Sequence, residues 1–480
     1  MTPIDPLGLP TELQVNAWTG DDDAVGALGP DSVRWALESH GEPLPKLLAP
    51  EATADPRDWR DPRVGWGLVL PDDDSLPDAV KARGEDAPAP LQALLAARPG
   101  SPVLRFRPRR RFTQLRRYYA NRPAQDVGLS ASARGVHDGA LPRYLLLYGG
   151  PDVIPWEFQY IANQACAVGR LTLTGPGLER YIEALIGEWS GGAARVTHTV
   201  VWAVDHGPDD ISSLMRRTIA VPLQRMLAAD NELGSNALYF DGARGEATSD
   251  ALCASLADQR PGLVVTTSHG KTGPLGDPVA MLQDLGLPVS GDFSAVAPAD
   301  ILDAWEPDGA VWYAHACCSA GNDAATIFRG LLEPGSRVDR LLEGIAELGA
   351  NVAPLPEALL GAAKPLRAFI GHVEPTFDWT IKNPETGQPL TSSICDALYN
   401  RLFQPDPVGY AMREPYSHVG ELYVQRDAAY RAFDEGADTE AIAMATQLAA
   451  RDRQSMVILG DPTVALPPLP SRAQGAVAHA

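Results

Sequence analysis

Short uninterrupted apolar runs alternate with amphipathic stretches between Leu141 and Leu466. YLLLY (144–148) has the length of a strand buried on both faces, and Gly149-Gly150-Pro151 breaks it. AVGRLTL follows, then LERYIEALIGEW (178–189), where Leu178, Tyr181, Ile182, Leu185, Ile186 and Trp189 share one helical face. THTVVWAV (197–204) and ALYF (237–240) read as strands. ISSLMRRTIAVPLQRMLAAD (211–230) reads as a helix interrupted or kinked at Pro222. TSDALCASLAD (248–258) is a helix with Thr248 or Ser249 as its cap. Two more apolar runs, in GLVVTTSHG and GAVWYAHACC, are separated by a Gly/Pro/Asp-rich stretch (271–300) long enough for a functional loop. DAATIFRGLL (323–332) and VDRLLEGIAEL (338–348) are predicted helices and LRAFIG (366–371) a strand. Two further helices precede MVILGDPTVAL (456–466). Strand and helix in alternation predict an α/β layer fold with a mostly parallel sheet.

The first 135 residues or so differ in texture. They are rich in Pro, Asp and Gly, with a strand at VGWGLVL (64–70) and a short helix at PLQALLAARPG (90–100). The pattern divides the chain into an irregular N-terminal accessory region (1–135), a first α/β subdomain (136–192), a second carrying the candidate chemistry (193–466) and a disordered tail (467–480).

Charge narrows the function. The chain has 480 residues and 61 Asp+Glu against 40 Lys+Arg, a net −21. That balance disfavours nucleic acid and anionic membrane surfaces as partners. The basic stretch VLRFRPRRRFTQLRRYYANRP (103–123), taken as a basic helix, is expected to pair with internal carboxylates rather than with RNA. Five scattered cysteines form no disulfide framework, no signal peptide is evident and no apolar run has membrane-spanning length. Together these predict a cytoplasmic protein.

The candidate chemistry sits where two apolar runs stop. One run ends at His269-Gly270 and the other at Cys317-Cys318. A thiol at one strand end and an imidazole at its neighbour would make a nucleophile and its base. Small residues flank Cys317 (Ala316, Ser319-Ala320-Gly321), and a helix starting near Asp323 would lower the thiol pKa. Adjacent residues on a strand face opposite ways, so either Cys317 or the alternative nucleophile Cys318 points into the cleft. The backbone N–H groups of Gly270 and Cys317 are candidates for an oxyanion hole.

An apolar strand ending in His-Gly and another ending in Ala-Cys with a small-residue turn resemble the layout of caspase-like (clan CD) cysteine peptidases, closest to the gingipain-like family. YLLLYGGPDVIP, the Val-Gly-Arg of AVGRLTL with its following helix, and the terminal LGDPTVAL carry the resemblance over residues 141–466. It implies an αβα sandwich in two subdomains and a Cys317–His269 dyad that cleaves protein or peptide substrates through an acyl-enzyme. Ala316-Cys317 matches the family's Ala-Cys, which ranks Cys317 above Cys318. Cleavage after Arg or Lys is implied through acidic residues after the strand preceding the His strand, here Asp205, Asp209 and Asp210. HVEPTFDW nominates Glu374 and Trp379 for the same pocket, and His372 beside them, while His315 stands where relatives carry an aspartate. No cofactor and no metal site is read from the sequence. Family members often carry calcium, and the lack of an EF-hand pattern leaves that open. A regulatory protein partner is expected for an intracellular peptidase. The alternative is a catalytically silent caspase-fold scaffold that binds partners.

Overall fold

The computed structural model describes residues 12–14, 25–27, 54–108, 112–382 and 386–470. The chain separates into two units, Met1–Ala54 and Asp55–Ala480. In the first, strands β1 (Glu12–Gln14) and β2 (Val25–Ala27) pair antiparallel.

The second unit is α/β, with a large mixed, mostly parallel sheet flanked by helices. Its strands are β3 (Trp66–Pro71), β4 (Val103–Phe106), β5 (Gln114–Arg117), β6 (Gln125–Gly128), β7 (Tyr144–Tyr148), β8 (Ala167–Leu171), β9 (Arg195–Ala203), β10 (Ala237–Asp241), β11 (Pro261–Thr267), β12 (Val311–His315), β15 (Ala368–His372) and β16 (Met456–Gly460). A separate short pair, β13 (Gly321–Asn322) and β14 (Asn351–Val352), lies between β12 and β15 in the chain. The twelve strands run β10-β9-β11-β12-β15-β16-β8-β7-β3-β4-β5-β6 across the sheet. Antiparallel pairing occurs at β15–β16, β4–β5 and β5–β6, and the other neighbours are parallel. Every residue of β11, β12, β15 and β16 is buried, which is why these strands are unbroken apolar runs in the sequence.

Three expectations need correction. First, residues 55–135 are not an irregular appendage, because β3 to β6 extend the main sheet. The link is ionic as well as apolar. Buried Asp461, from the terminal Gly-Asp-Pro, accepts from Trp66 Nε1 (2.9 Å) and Arg98 Nη1 (3.1 Å). Second, the basic stretch contributes two strands, β4 and β5, rather than a helix. Its arginines pair internally: Arg105 with Asp86 (2.6 Å), Arg107 with Asp72 (3.4 Å), Arg116 with Asp126 (3.0 Å) and Arg122 with Asp138 (3.1 Å). Arg109–Arg111 fall outside the described residues. Third, 323–332 forms turns, and the next helix begins at Arg337. The 211–230 helix is interrupted close to Pro222. This proline sits in the first turn of Val221–Ala229, just after a π-helical turn at Arg216–Ala220. The 467–480 tail lies outside the described residues from 471 onward. No helix among the described residues is long and apolar enough to cross a membrane.

The buried Asp461–Arg98 pair generates a stability prediction. Removing one partner leaves the other charge buried without compensation, so Asp461→Ala is expected to cost about 3–5 kcal/mol. Chemical denaturation measures this, and a loss below about 1 kcal/mol would mean the pair behaves as an exposed one.

Candidate active site

Parallel neighbours β11 and β12 end at the same level, with Thr267 paired to His315. Two residues beyond each strand end stand His269 and Cys317, so the register brings these two stretches of chain to the same level. The approach is unusually close. A Cβ built on Gly270 would lie 1.9 Å from the Cys317 carbonyl oxygen and 3.1 Å from its nitrogen. Glycine is therefore obligatory after His269. Among the described residues the Gly270 N–H has no main-chain partner, and the Cys317 N–H lies against its own sulfur.

The third member comes from the loop after β9. His269 Nε2 lies 3.0 Å from both carboxylate oxygens of Asp210. Asp210 also caps the helix Ile211–Met215 by accepting from the Ser212 N–H (2.8 Å) and hydroxyl. Burial alone would raise the Asp210 carboxyl. The Ser212 bonds and the His269 imidazole outweigh it and hold the group below the usual carboxylate range. An ionised Asp210 thus fixes the proton on Nε2, leaving Nδ1 as the basic nitrogen.

Cys317 is half-buried. Burial pushes its thiol up, opposed by Thr376, whose N–H donates to Sγ (3.4 Å) and whose hydroxyl lies 3.9 Å away. The expected helix dipole is missing because no helix starts at Asp323. The resting sulfur is a protonated thiol that needs a base. Cys318 is the weaker nucleophile on every count. It is fully buried against Met281, Leu285 and Ile345, and burial raises its thiol well above the usual value. Its φ of 54° lies in the left-handed region.

The pocket candidates scatter. Asp210 is taken by His269. Asp205 accepts from the Gly207 N–H (3.0 Å) and faces Arg216 at 3.7 Å, and Asp209 is exposed. Glu374 is buried on the Cys318 side, where its carbonyl accepts from the Cys318 N–H (3.0 Å) and its carboxyl bonds Thr326. Burial, opposed by Thr326, raises that carboxyl to about 8. Trp379 belongs to the helix Asp378–Ile381, and its side chain lies outside the described residues. His315 and His372 are buried edge to face at 4.6 Å, and burial lowers both, His315 to about 4.

Sequence reasoning missed two neighbours. Asp452 is buried beside Cys317 and raises its thiol further, while burial lifts its own carboxyl to about 7. His206 stacks on His269 with ring centroids 5.4 Å apart. It precedes Gly207 in the very loop that supplied the acidic candidates, and its position in DHGPDD was the available signal. His206, Asp210 and His269 each offer one ligand atom, all within 4.8 Å of one another.

Two predictions follow from this geometry. Gly270→Ala would force the Cys317 main chain away, so labelling of Cys317 by a thiol-reactive probe should slow at least about tenfold. An unchanged rate would show that the close approach is dispensable. Glu374 titrates near 8 when folded and near 4.5 when unfolded, so its favourable contribution is complete below about pH 4.5 and lost as pH rises through about 8. Glu374→Gln should flatten the fall in denaturation free energy between about pH 5 and pH 9, and an unaltered slope would refute the assignment.

No protein-family model matches the chain, and no curated protein matches it.

Proposed function

We propose that the chain is a cysteine endopeptidase of caspase-like, gingipain-type architecture. The observation that carries this reading is the His269–Asp210 pair beyond β11 and β9, with the next residue, Gly270, pressed onto the backbone of Cys317 beyond β12. Ligand and active sites of open α/β sheets lie beyond the carboxyl ends of their strands, where successive connections depart in opposite directions. The β9 connection leads outward to β10 and the β11 connection leads to β12, so the crevice opens between β9 and β11.

The chemistry follows from the three groups. His269 Nδ1 takes the Cys317 proton as sulfur attacks the peptide carbonyl carbon. The oxyanion is received by the N–H groups of Gly270 and Cys317. Collapse breaks the C–N bond, and His269 returns the proton to the departing amine. Water, deprotonated by the same imidazole, then hydrolyses the thioester and restores the thiol. Asp210 holds the imidazole in the needed tautomer and stabilises its charged form. Thr376 steadies the sulfur. Cleavage after Arg or Lys remains part of the proposal, with Asp209 the exposed carboxylate of the loop and Asp452 the buried one beside the sulfur.

A fluorogenic peptide panel varied at the residue before the cut tests the reading. Cys317→Ala and His269→Ala should each abolish turnover, and Asp210→Asn should lower kcat by roughly 10²–10⁴ with little change in KM. Turnover that survives Cys317→Ala would move the chemistry elsewhere. A folded protein whose Cys317 reacts with no electrophilic probe would instead fit the silent scaffold.

A further inference from the structure

His206 is held more firmly than a bystander ring requires. One face stacks on Phe293 (centroids 4.0 Å, planes 11° apart) and the other on His269 (5.4 Å, 9°). Its Nε2–H donates to the Ser290 carbonyl at 3.0 Å. That bond fixes the tautomer and leaves Nδ1 as a bare lone pair, and Nδ1 is buried with no hydrogen-bond partner. A ring nitrogen donated to a main-chain carbonyl, with the other nitrogen left free, is the arrangement that orients metal-ligating histidines. The residues beside it are a carboxylate and a second imidazole.

We propose that His206, Asp210 and His269 form a binding site for a borderline divalent transition cation, zinc being the best fit, whose occupancy switches off Cys317. Two imidazoles and one carboxylate with a fourth position left for water match the donor set of open zinc sites. They are a poor set for calcium or magnesium, which require six or more oxygen ligands or near-octahedral oxygen geometry. The ligand atoms lie within 4.8 Å of one another, and His269 Nε2 and Asp210 are already at 3.0 Å. A tetrahedral site with bonds of about 2.0 Å spaces its ligands by roughly 3.3 Å, so binding needs the His206 ring to close by up to about 1.5 Å and to turn out of its parallel stack on His269, because each ring lone pair lies in its own ring plane.

The cation would enter between His269 and its orienting carboxylate. It occupies the Nε2 lone pair, and the proton that Nε2 carried moves to Nδ1. With Nδ1 protonated, His269 cannot accept the Cys317 proton, and the thiol stays neutral. No electron is transferred, and the cation's removal restores the starting tautomer. The consequence for turnover rests on the peptidase reading, whereas the binding itself does not.

Zinc chloride titrated calorimetrically into the full chain tests the site. One Zn²⁺ per chain is expected in wild type, with equal affinity in Cys317→Ala and at least roughly 10–100-fold weaker affinity in His206→Gln. Co²⁺ should give tetrahedral absorption bands without a thiolate-to-metal charge-transfer band. Undiminished affinity in His206→Gln, or loss of binding in Cys317→Ala, overturns the site. Should His206→Gln fail to melt cooperatively, Asp210→Asn and the wild-type Co²⁺ spectrum decide, a thiolate band being the contrary result. Zn²⁺ should also slow probe labelling of Cys317 at least tenfold, reversed by a chelator, and bound zinc with unchanged labelling overturns the switch. Absence of peptide turnover in chelator-treated protein would count against the peptidase reading and leave the zinc result standing.

Discussion

The site depends on one backbone contact, the approach of Gly270 to the Cys317 peptide. Parallel strands in register can end side by side in any α/β sheet, but side chains normally keep the following loops apart. Here the missing Cβ lets the chain after the imidazole lie against the chain that carries the thiol. Gly286 repeats the device from the 271–300 segment: at φ 69°, a Cβ there would sit 2.0 Å from the Cys318 carbonyl oxygen. In that segment the N–H groups of Lys271 and Val289 donate to the carbonyls of Leu287 and His269 in short antiparallel bonding.

Beyond the thiol the chain is bent by strain. Cys318 (φ 54°) and Glu374 (φ 85°) both occupy the left-handed region, and the N–H of one donates to the carbonyl of the other. Non-glycine residues held this way cost about 1–3 kcal/mol each and persist where packing over-determines them. The apolar cluster around Cys318 supplies that packing. The result is a division of labour between adjacent cysteines, one turned toward Thr376 and the other sealed in the interior. Electrostatically the half-buried Cys317 gains nothing from a helix terminus. The neighbouring imidazole, His269, is held by Asp210 from the loop after β9, where the stacked His206 adds a second imidazole.

Much of the architecture was legible because doubly buried strands must be apolar on both faces. YLLLY, VVWA, LVVTT, VWYA, AFIG and MVIL announce themselves, and the two that end in His and Cys stand out for the same reason. The short strands β4 to β6 have no such signature. They are four residues each; β4 and β5 carry Arg105 and Arg116, which pair with Asp86 and Asp126, partners that no apolar run discloses. The turns at 323–332 looked helical because apolar spacing there reflects packing of Phe328 against Leu342 and Leu448, not helical periodicity.

The sequence by itself determined which residue types stand at the ends of β11 and β12, that a glycine follows the imidazole, and that the sheet is largely parallel. Those properties reside in local composition and in strand-length apolar runs. Only the tertiary structure decided which of Asp205, Asp209 and Asp210 meets His269, that His206 stacks on it, that Glu374 belongs to the Cys318 side, and that the thiol is raised by burial rather than lowered by a dipole. Side-chain direction in a loop is set by what packs against it from distant parts of the chain, and a string of six residues carries no record of those neighbours.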